Sequence, residues 1–250
     1  MLQMGYNIAR CMVNAMRTSL SFSLLILAAL SSTAHAGADP AKLQTGAALF
    51  QNLCAACHGP KGQGNEQLKT PSIAGEPAWY VQIQLGNFRA GRRGGNPAEP
   101  QAMVMSAITK NLTPAHLEAL ALHIEKLERM HPPMPTALRD ADVAMGKELF
   151  EVRCMECHRF NASGEMTFGS PPLLGLQDWY LVAQIEKFKT GRRGTFLGDP
   201  NGAKMVLSSQ FIEDEQAKHS VIAYILTLNP DYQATSAAAD AERLFQAAQK

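Results

Sequence analysis

Apolar residues recur at helical spacing in three stretches of the chain. Between Ala41 and Leu53 they are Leu43, Ala47, Leu49, Phe50 and Leu53. Leu117, Leu120, Ala121, Ile124 and Leu127 form a second stripe. Thr113-Pro114 precedes it, with a capping hydroxyl followed by a proline at the first helical position. Val221, Tyr224, Ile225 and Leu228 form a third stripe. It is expected to start at Glu213-Asp214-Glu215, where negative charge meets the positive end of the helix dipole. The intervening segments are rich in Gly and Pro, and no strand-type alternation is present. The expected fold class is all-α with long loops.

Leu20 to Leu30 is a different kind of apolar run, eleven residues long and preceded by Arg10 and Arg17. Ala34-His35-Ala36 places small residues at the positions a signal peptidase reads. Residues 1–36 therefore read as a secretory signal, with Met12 and Met16 as alternative starts. The run is shorter than the about 20 apolar residues needed to span a bilayer. Cleavage removes Cys11 and leaves Cys54, Cys57, Cys154 and Cys157 in a chain expected to be soluble and exported.

The pattern also repeats at an interval of 100 residues. Gly46, Phe50, Cys54, Cys57 and His58 recur as Gly146, Phe150, Cys154, Cys157 and His158. Trp79-Tyr80, Gln84 and Phe88 recur as Trp179-Tyr180, Gln184 and Phe188. Gly-Arg-Arg-Gly at 91–94 recurs at 191–194, and Met105 as Met205. Such a register without gaps is a tandem duplication. We expect units at 37–130 and 139–231, a Pro-rich linker at 131–138 and an unmatched tail at 232–250.

The chemistry lies in the repeated C-x-x-C-H. Cysteines three apart project to one side of a helical turn and can form thioethers with the two vinyl groups of one haem. The following His58 or His158 then offers an imidazole to the iron. A thioredoxin-type pair would need a βαβ context, and neither a zinc site nor disulfides account for a His after each pair. Two haem c groups are therefore expected. His58 to Met105 and His158 to Met205 are both 47 residues, so these methionines are the candidate opposite ligands. Met103 competes in the first unit, but position 203 is Ala. Met155 and Met166 read as packing residues, as do His116, His123, His131 and His219. Arg92, Arg93, Arg192 and Arg193 are candidates for haem propionates or partner docking. Trp79, Tyr80, Trp179 and Tyr180 are candidate haem-pocket walls.

Composition narrows the function further. With 23 Lys+Arg against 22 Asp+Glu and 7% aromatics, neither a basic field nor a stacking surface for nucleic acid is present. The halves differ, however: residues 37–138 hold nine cations and seven acids, net +2, and residues 139–250 hold twelve and fifteen, net −3.

At these residues the chain resembles the class I cytochromes c, and within them the dihaem cytochrome c4 family. C-x-x-C-H occurs twice, F-x-x-G-x-R recurs at Phe88–Arg93 and Phe188–Arg193, and two candidate Met ligands are present. The resemblance covers roughly residues 41–230. It implies two tandem cytochrome c domains related by approximate two-fold symmetry, each wrapped around one covalent haem, with the haems near the interface. It further implies His58 with Met105 and His158 with Met205 as axial pairs, and a periplasmic electron-transfer role, not an enzyme. The expected partners are redox proteins: a quinol-oxidising complex or dehydrogenase on one side, a terminal oxidase or reductase on the other. The alternatives are a subunit of an enzyme complex, such as a sulfide-oxidising flavocytochrome, or a haem enzyme with an open iron site. His123 departs from the aromatic residue usual at its position, which puts close helix packing in the first domain in question.

Overall fold

A computed structural model describes residues 40–230 apart from 133, 136, 137 and 139. The expected signal sequence and the 232–250 tail lie outside the described residues. The first half contains α1 (Pro40–Leu53), α2 (Ala55–His58), α3 (Ala78–Arg89), α4 (Pro100–Thr109) and α5 (Pro114–Glu125). The second repeats the order with α6 (Val143–Arg153), α7 (Met155–His158), α8 (Asp178–Lys189), α9 (Pro200–Ser209) and α10 (Glu215–Thr227). Among the described residues the only strand-like pairings are two isolated bridges at equivalent places, Asn65 with Thr70 and Glu165 with Ser170.

The predicted starts of α5 and α10 hold, with a refinement. The Thr113 hydroxyl accepts from His116 N at 3.2 Å, and the Thr113 amide donates to His116 Nδ1 at 3.4 Å. His116 thus closes a capping box. Asp214 is the N-cap of α10, accepting from Ala217 N at 2.8 Å.

Sequence reading left Ala78–Arg89 and Pro100–Thr109, with their repeats, among the loops; they are helices. In α3, Val81, Leu85 and Phe88 enter the first core, while Tyr80 and Gln84 meet the second half. A helix buried on two sides shows no single apolar stripe. For α4 and α9 the proline at the first helical position was the available signal.

In each half the first and last helices cross closely. A Cβ added to Gly46 would overlap the Ala119 carbonyl, and one added to Gly146 would overlap the Ser220 carbonyl. At the crossings Phe50 and Phe150 are fully buried. Phe50 meets His123 at 5.2 Å between ring centres, and Phe150 meets Tyr224 at 5.5 Å. His123 therefore takes the aromatic role, and the close packing questioned from sequence is present in both halves. Two other readings need correction. Met155 is 36% and Met166 is 64% exposed, so neither is a packing residue.

The linker is tied down. Arg129 donates to the Leu174 carbonyl at 2.6 Å, to the Gly75 carbonyl and to Glu76 Oε1 at 3.3 Å. His131 Nδ1 lies 3.1 Å from Asn229 Oδ1. Leu138 is buried in the second core.

Candidate functional site

Each C-x-x-C-H begins where a helix ends. The Cys54 and Cys154 amides donate to Phe50 and Phe150 carbonyls at 2.8 Å, and the His58 and His158 amides donate back to the cysteine carbonyls, also at 2.8 Å. This single turn carries both sulfurs. All four described cysteines are free. Burial pushes the Cys54 thiol up to about 11 and the Cys154 thiol up to about 12, with the neighbouring thiol of each pair adding to the rise. Among the described residues no group of three or more His, Cys, Asp or Glu could hold a metal ion, so the two pairs do not converge on one site.

His58 and His158 are 6% and 4% exposed. The Nδ1 of each lies 2.8 Å from the carbonyl of Pro71 or Pro171, thirteen residues on. A donor at Nδ1 leaves Nε2 as the nitrogen with a lone pair. Desolvation lowers both imidazole pKa values, against a smaller rise from the carbonyl bond, so the rings are neutral and ready to ligate.

In the second half Cys154, Cys157, His158 and Met205 line one cleft. Leu173, Leu181, Ile185, Phe188, Val221 and Ile225 supply apolar walls. In the first half Met105 packs with Cys54 against the core of Phe50, Val81 and Leu85, whereas Met103 is 44% exposed. Trp179 stacks edge-on against Tyr180 at 6.0 Å, with its Nε1 buried and lacking an acceptor. Trp79 and Tyr80 are arranged alike at 5.7 Å. Tyr80 and Tyr180 line the second cleft, whereas Trp79 and Trp179 do not; an apolar cleft with paired thiols, a buried neutral imidazole and a thioether fits a covalently attached haem.

The repeated arginines lie between the halves rather than in solvated turns. Arg93 donates to Gln84 Oε1 at 2.8 Å in its own half, and to Tyr180 OH at 3.0 Å and Gln184 Oε1 at 3.3 Å across the boundary. Arg193 mirrors it, donating to Gln184 Oε1 at 2.5 Å, Tyr80 OH at 3.3 Å and Gln84 Oε1 at 3.1 Å. Such reciprocity is what a two-fold interface produces. Tyr80, Gln84, Tyr180, Gln184 and Arg193 also line the second cleft, so the first half closes the second site. Arg92 donates from Nε to Asn87 Oδ1 at 2.8 Å. Arg192 Nη1 stands 3.6 Å from Glu99 Oε1, and Lys187 pairs with the same buried carboxylate.

The cytochrome c family profile matches residues 43–128 and again 143–229. The chain belongs to the cytochrome c family. It is 35% identical over 158 residues to a thiosulfate dehydrogenase electron acceptor of Thiomonas intermedia, covering 60% of this chain and 67% of that protein. It is 30% identical over 201 residues to the protein of the same name from Stutzerimonas stutzeri, covering 76% and 87%. Cytochrome c4 of Pseudomonas aeruginosa is 28% identical over 183 residues, covering 70% and 83%. Among solved structures, cytochrome c4 from Pseudomonas stutzeri has a TM-score of 0.59 at 23% identity, covering 74% of this chain and 97% of that one. A thiosulfate dehydrogenase from Marichromatium purpuratum has a TM-score of 0.58 at 27% identity, covering 74% of this chain and 40% of that one. The tandem pair is similar to cytochrome c4 and carries two covalently bound haem c groups. It is an electron-transfer protein rather than an enzyme.

Sequence reading missed Gln177, Glu99 and Arg129 as interface residues. Gln177 bridges the halves, accepting from Ser72 N at 2.9 Å and donating to Gln63 O at 3.0 Å. None of the three has the same residue at its repeat position, so the duplication gave no signal for them. Gln84 and Gln184 did repeat, but nothing in their type pointed to an arginine of the other half.

Proposed function

We propose that this cytochrome is a periplasmic one-electron carrier that accepts electrons from a dehydrogenase and delivers them to a terminal oxidase or reductase. Among donors, the reading favours a thiosulfate dehydrogenase, because two relatives bear the name of that enzyme's electron acceptor. The observation that carries it is the second cleft, where His158 and Met205 line the same apolar chamber as both thioether cysteines.

A bound haem supplies a reversible one-electron iron couple. Cys54, Cys57, Cys154 and Cys157 tether the macrocycles. His58 and His158 would hold the iron through Nε2, with the Pro71 and Pro171 carbonyls orienting the rings. Met105 and Met205 would be the second protein ligands of the irons and would raise the potential. A second protein ligand at each iron would leave no coordination position for substrate. Arg93, Arg193 and the unpartnered Trp179 N–H would be the donors to the haem propionates. Quinol-oxidising complexes remain a donor of the same type, since they too release single electrons.

The test is a stopped-flow experiment with purified thiosulfate dehydrogenase, thiosulfate and the oxidised holoprotein. Both haems should become reduced, and mass spectrometry should show two haem additions on a chain lacking residues 1–36. A holoprotein that binds carbon monoxide at both irons, or stays oxidised with this and every other dehydrogenase offered, overturns the reading.

A further inference from the structure

The duplication lets the mouths of the two haem clefts be compared position by position. In the second domain the cleft lining includes Arg153, Gly169, Asn201, Lys204 and Ser208. Exposed Phe168, Leu207 and Phe211 stand beside them. The Arg153 guanidinium lies 3.9 Å from the centre of the Phe211 ring. Lys204 Nζ donates to the Phe168 carbonyl at 2.9 Å. Two cations are thus held against an exposed apolar rim. Asp199, the one carboxylate lining the cleft, is buried and caps α9 through Gly202 N, and the nearby acids are spent elsewhere, Glu151 on Lys147 and Glu165 on Arg159. Glu156 is exposed but does not line the cleft. Neither Arg153 nor Lys204 has a carboxylate within ion-pair distance among the described residues.

The first domain has Leu53 at the position of Arg153 and Val104 at that of Lys204. Leu68, Ala107 and Asn111 stand for Phe168, Leu207 and Phe211. Leu53, Leu68 and Val104 are all exposed. Lys69, at the position of Gly169, is engaged by Glu66 at 3.8 Å and by the Trp179 ring at 5.1 Å. One mouth is therefore apolar with its lysine paired, and the other is apolar with two cations that have no carboxylate partner. Net charge runs the opposite way, +2 for residues 37–138 and −3 for residues 139–250. A docked surface lies well within a Debye length of about 10 Å at 0.1 M salt, so local charges outweigh the domain total.

We propose that the second cleft mouth is the docking surface for a redox protein whose cofactor-bearing face is acidic, selected by Arg153 and Lys204. The class of partner rests on the electron-carrier reading above. Phe168, Leu207 and Phe211 exclude water at the centre of the contact, and the two cations steer the approach. No bond forms or breaks; the donor loses the one electron that the acceptor gains. The first mouth offers no such unpaired charge and takes a different partner.

Hexacyanochromate(III), a paramagnetic and redox-inert trianion, reads the surface without electron transfer. Added to nitrogen-15-labelled holoprotein at low ionic strength, it should broaden the amide signals of Arg153, Lys204 and Leu207 before those of Leu53, Val104 and Ala107. The double variant Arg153→Leu/Lys204→Val should lose that preference, and Leu53→Arg/Val104→Lys should create it on the first domain. Equal broadening at both mouths of the wild type, or a preference that survives the double variant, overturns the proposal. A second measurement uses rates with outer-sphere reagents. Reduction of hexacyanoferrate(III) by the ferrous double variant should slow by about tenfold at low salt, while reduction of cationic tris(phenanthroline)cobalt(III) should quicken. Both rates falling together would indicate damage to the mouth and also overturn it. A holoprotein that gathers the anion at this mouth yet exchanges electrons with neither reagent sinks the carrier reading and leaves the anion-selective surface standing.

Discussion

The two domains are alike where haem is held and in the reciprocal Arg93 and Arg193 contacts, and unlike in their other boundary contacts and toward solvent. Both histidines meet a proline carbonyl at 2.8 Å, and both first helices cross the last at a glycine. Glu99 reaches across to Lys187 and Arg192 of the second domain. Its counterpart Asp199 stays within its own domain and caps α9 through Gly202 N at 3.0 Å. Cofactor attachment tolerates one geometry, so duplication preserved it. Surfaces that meet different neighbours had no such constraint, and there the copies have diverged.

The strongest test of the likeness is the Met pair. Met105→Ala and Met205→Ala should each open one iron position to carbon monoxide. Each should lower one potential by on the order of 0.1–0.3 V, inside the ~0.8 V that axial ligands span. Potentiometric titration followed optically checks this. If only one variant responds, the domains differ at the iron as well as at the rim.

Next in size are the crossing glycines. Gly46→Ala and Gly146→Ala should each cost about 2–4 kcal/mol, because the added carbon meets a backbone carbonyl that cannot turn aside. Denaturant unfolding of the holoprotein measures both. A cheap Gly46→Ala would mean that His123 leaves the first crossing looser than Tyr224 leaves the second.

At the interface, Glu99→Gln should destabilise by about 1–3 kcal/mol, since it leaves partly buried Lys187 and Arg192 without their carboxylate. Asp199→Asn should cost less than about 1 kcal/mol, because Asn caps nearly as well as Asp. Equal costs would erase the asymmetry drawn between these two positions.

A further effect is a pH slope from a carboxyl of the first domain. Burial raises the Glu76 carboxyl from 4.5 to about 7, against the opposing pull of Arg129, and Leu176 occupies the equivalent place. One oxygen of this carboxylate is buried without a partner. Folding favours the neutral acid, so its contribution is intact below about pH 4.5 and is lost as pH rises through about 7. Between pH 5 and 8 the wild type should lose about 3–6 °C of Tm relative to Glu76→Gln. Parallel melting curves across that range would show that Glu76 is ionised throughout.

Much of the haem chemistry was legible because it is local. Two cysteines on one turn and the next histidine carry their meaning within five residues, and a spacing of 47 residues, seen twice, singled out the methionines. Helices α1, α5 and α10 were legible because each turns one face to one core. Helices α3 and α8 were not, because they are buried from two directions and their polar residues serve the neighbouring domain. The repeat brought Arg93 and Arg193 to attention, but their tyrosine partners lie 87 and 113 residues away. Covalent spacing along the chain thus determined the two haem attachments, the duplication and the main helices. Only the tertiary structure decided that each Gly-Arg-Arg-Gly binds the opposite domain, that Arg129 pins the linker and that one cleft mouth is cationic. Those contacts depend on how two folded surfaces meet, and residue order constrains that meeting only through the packing of the whole.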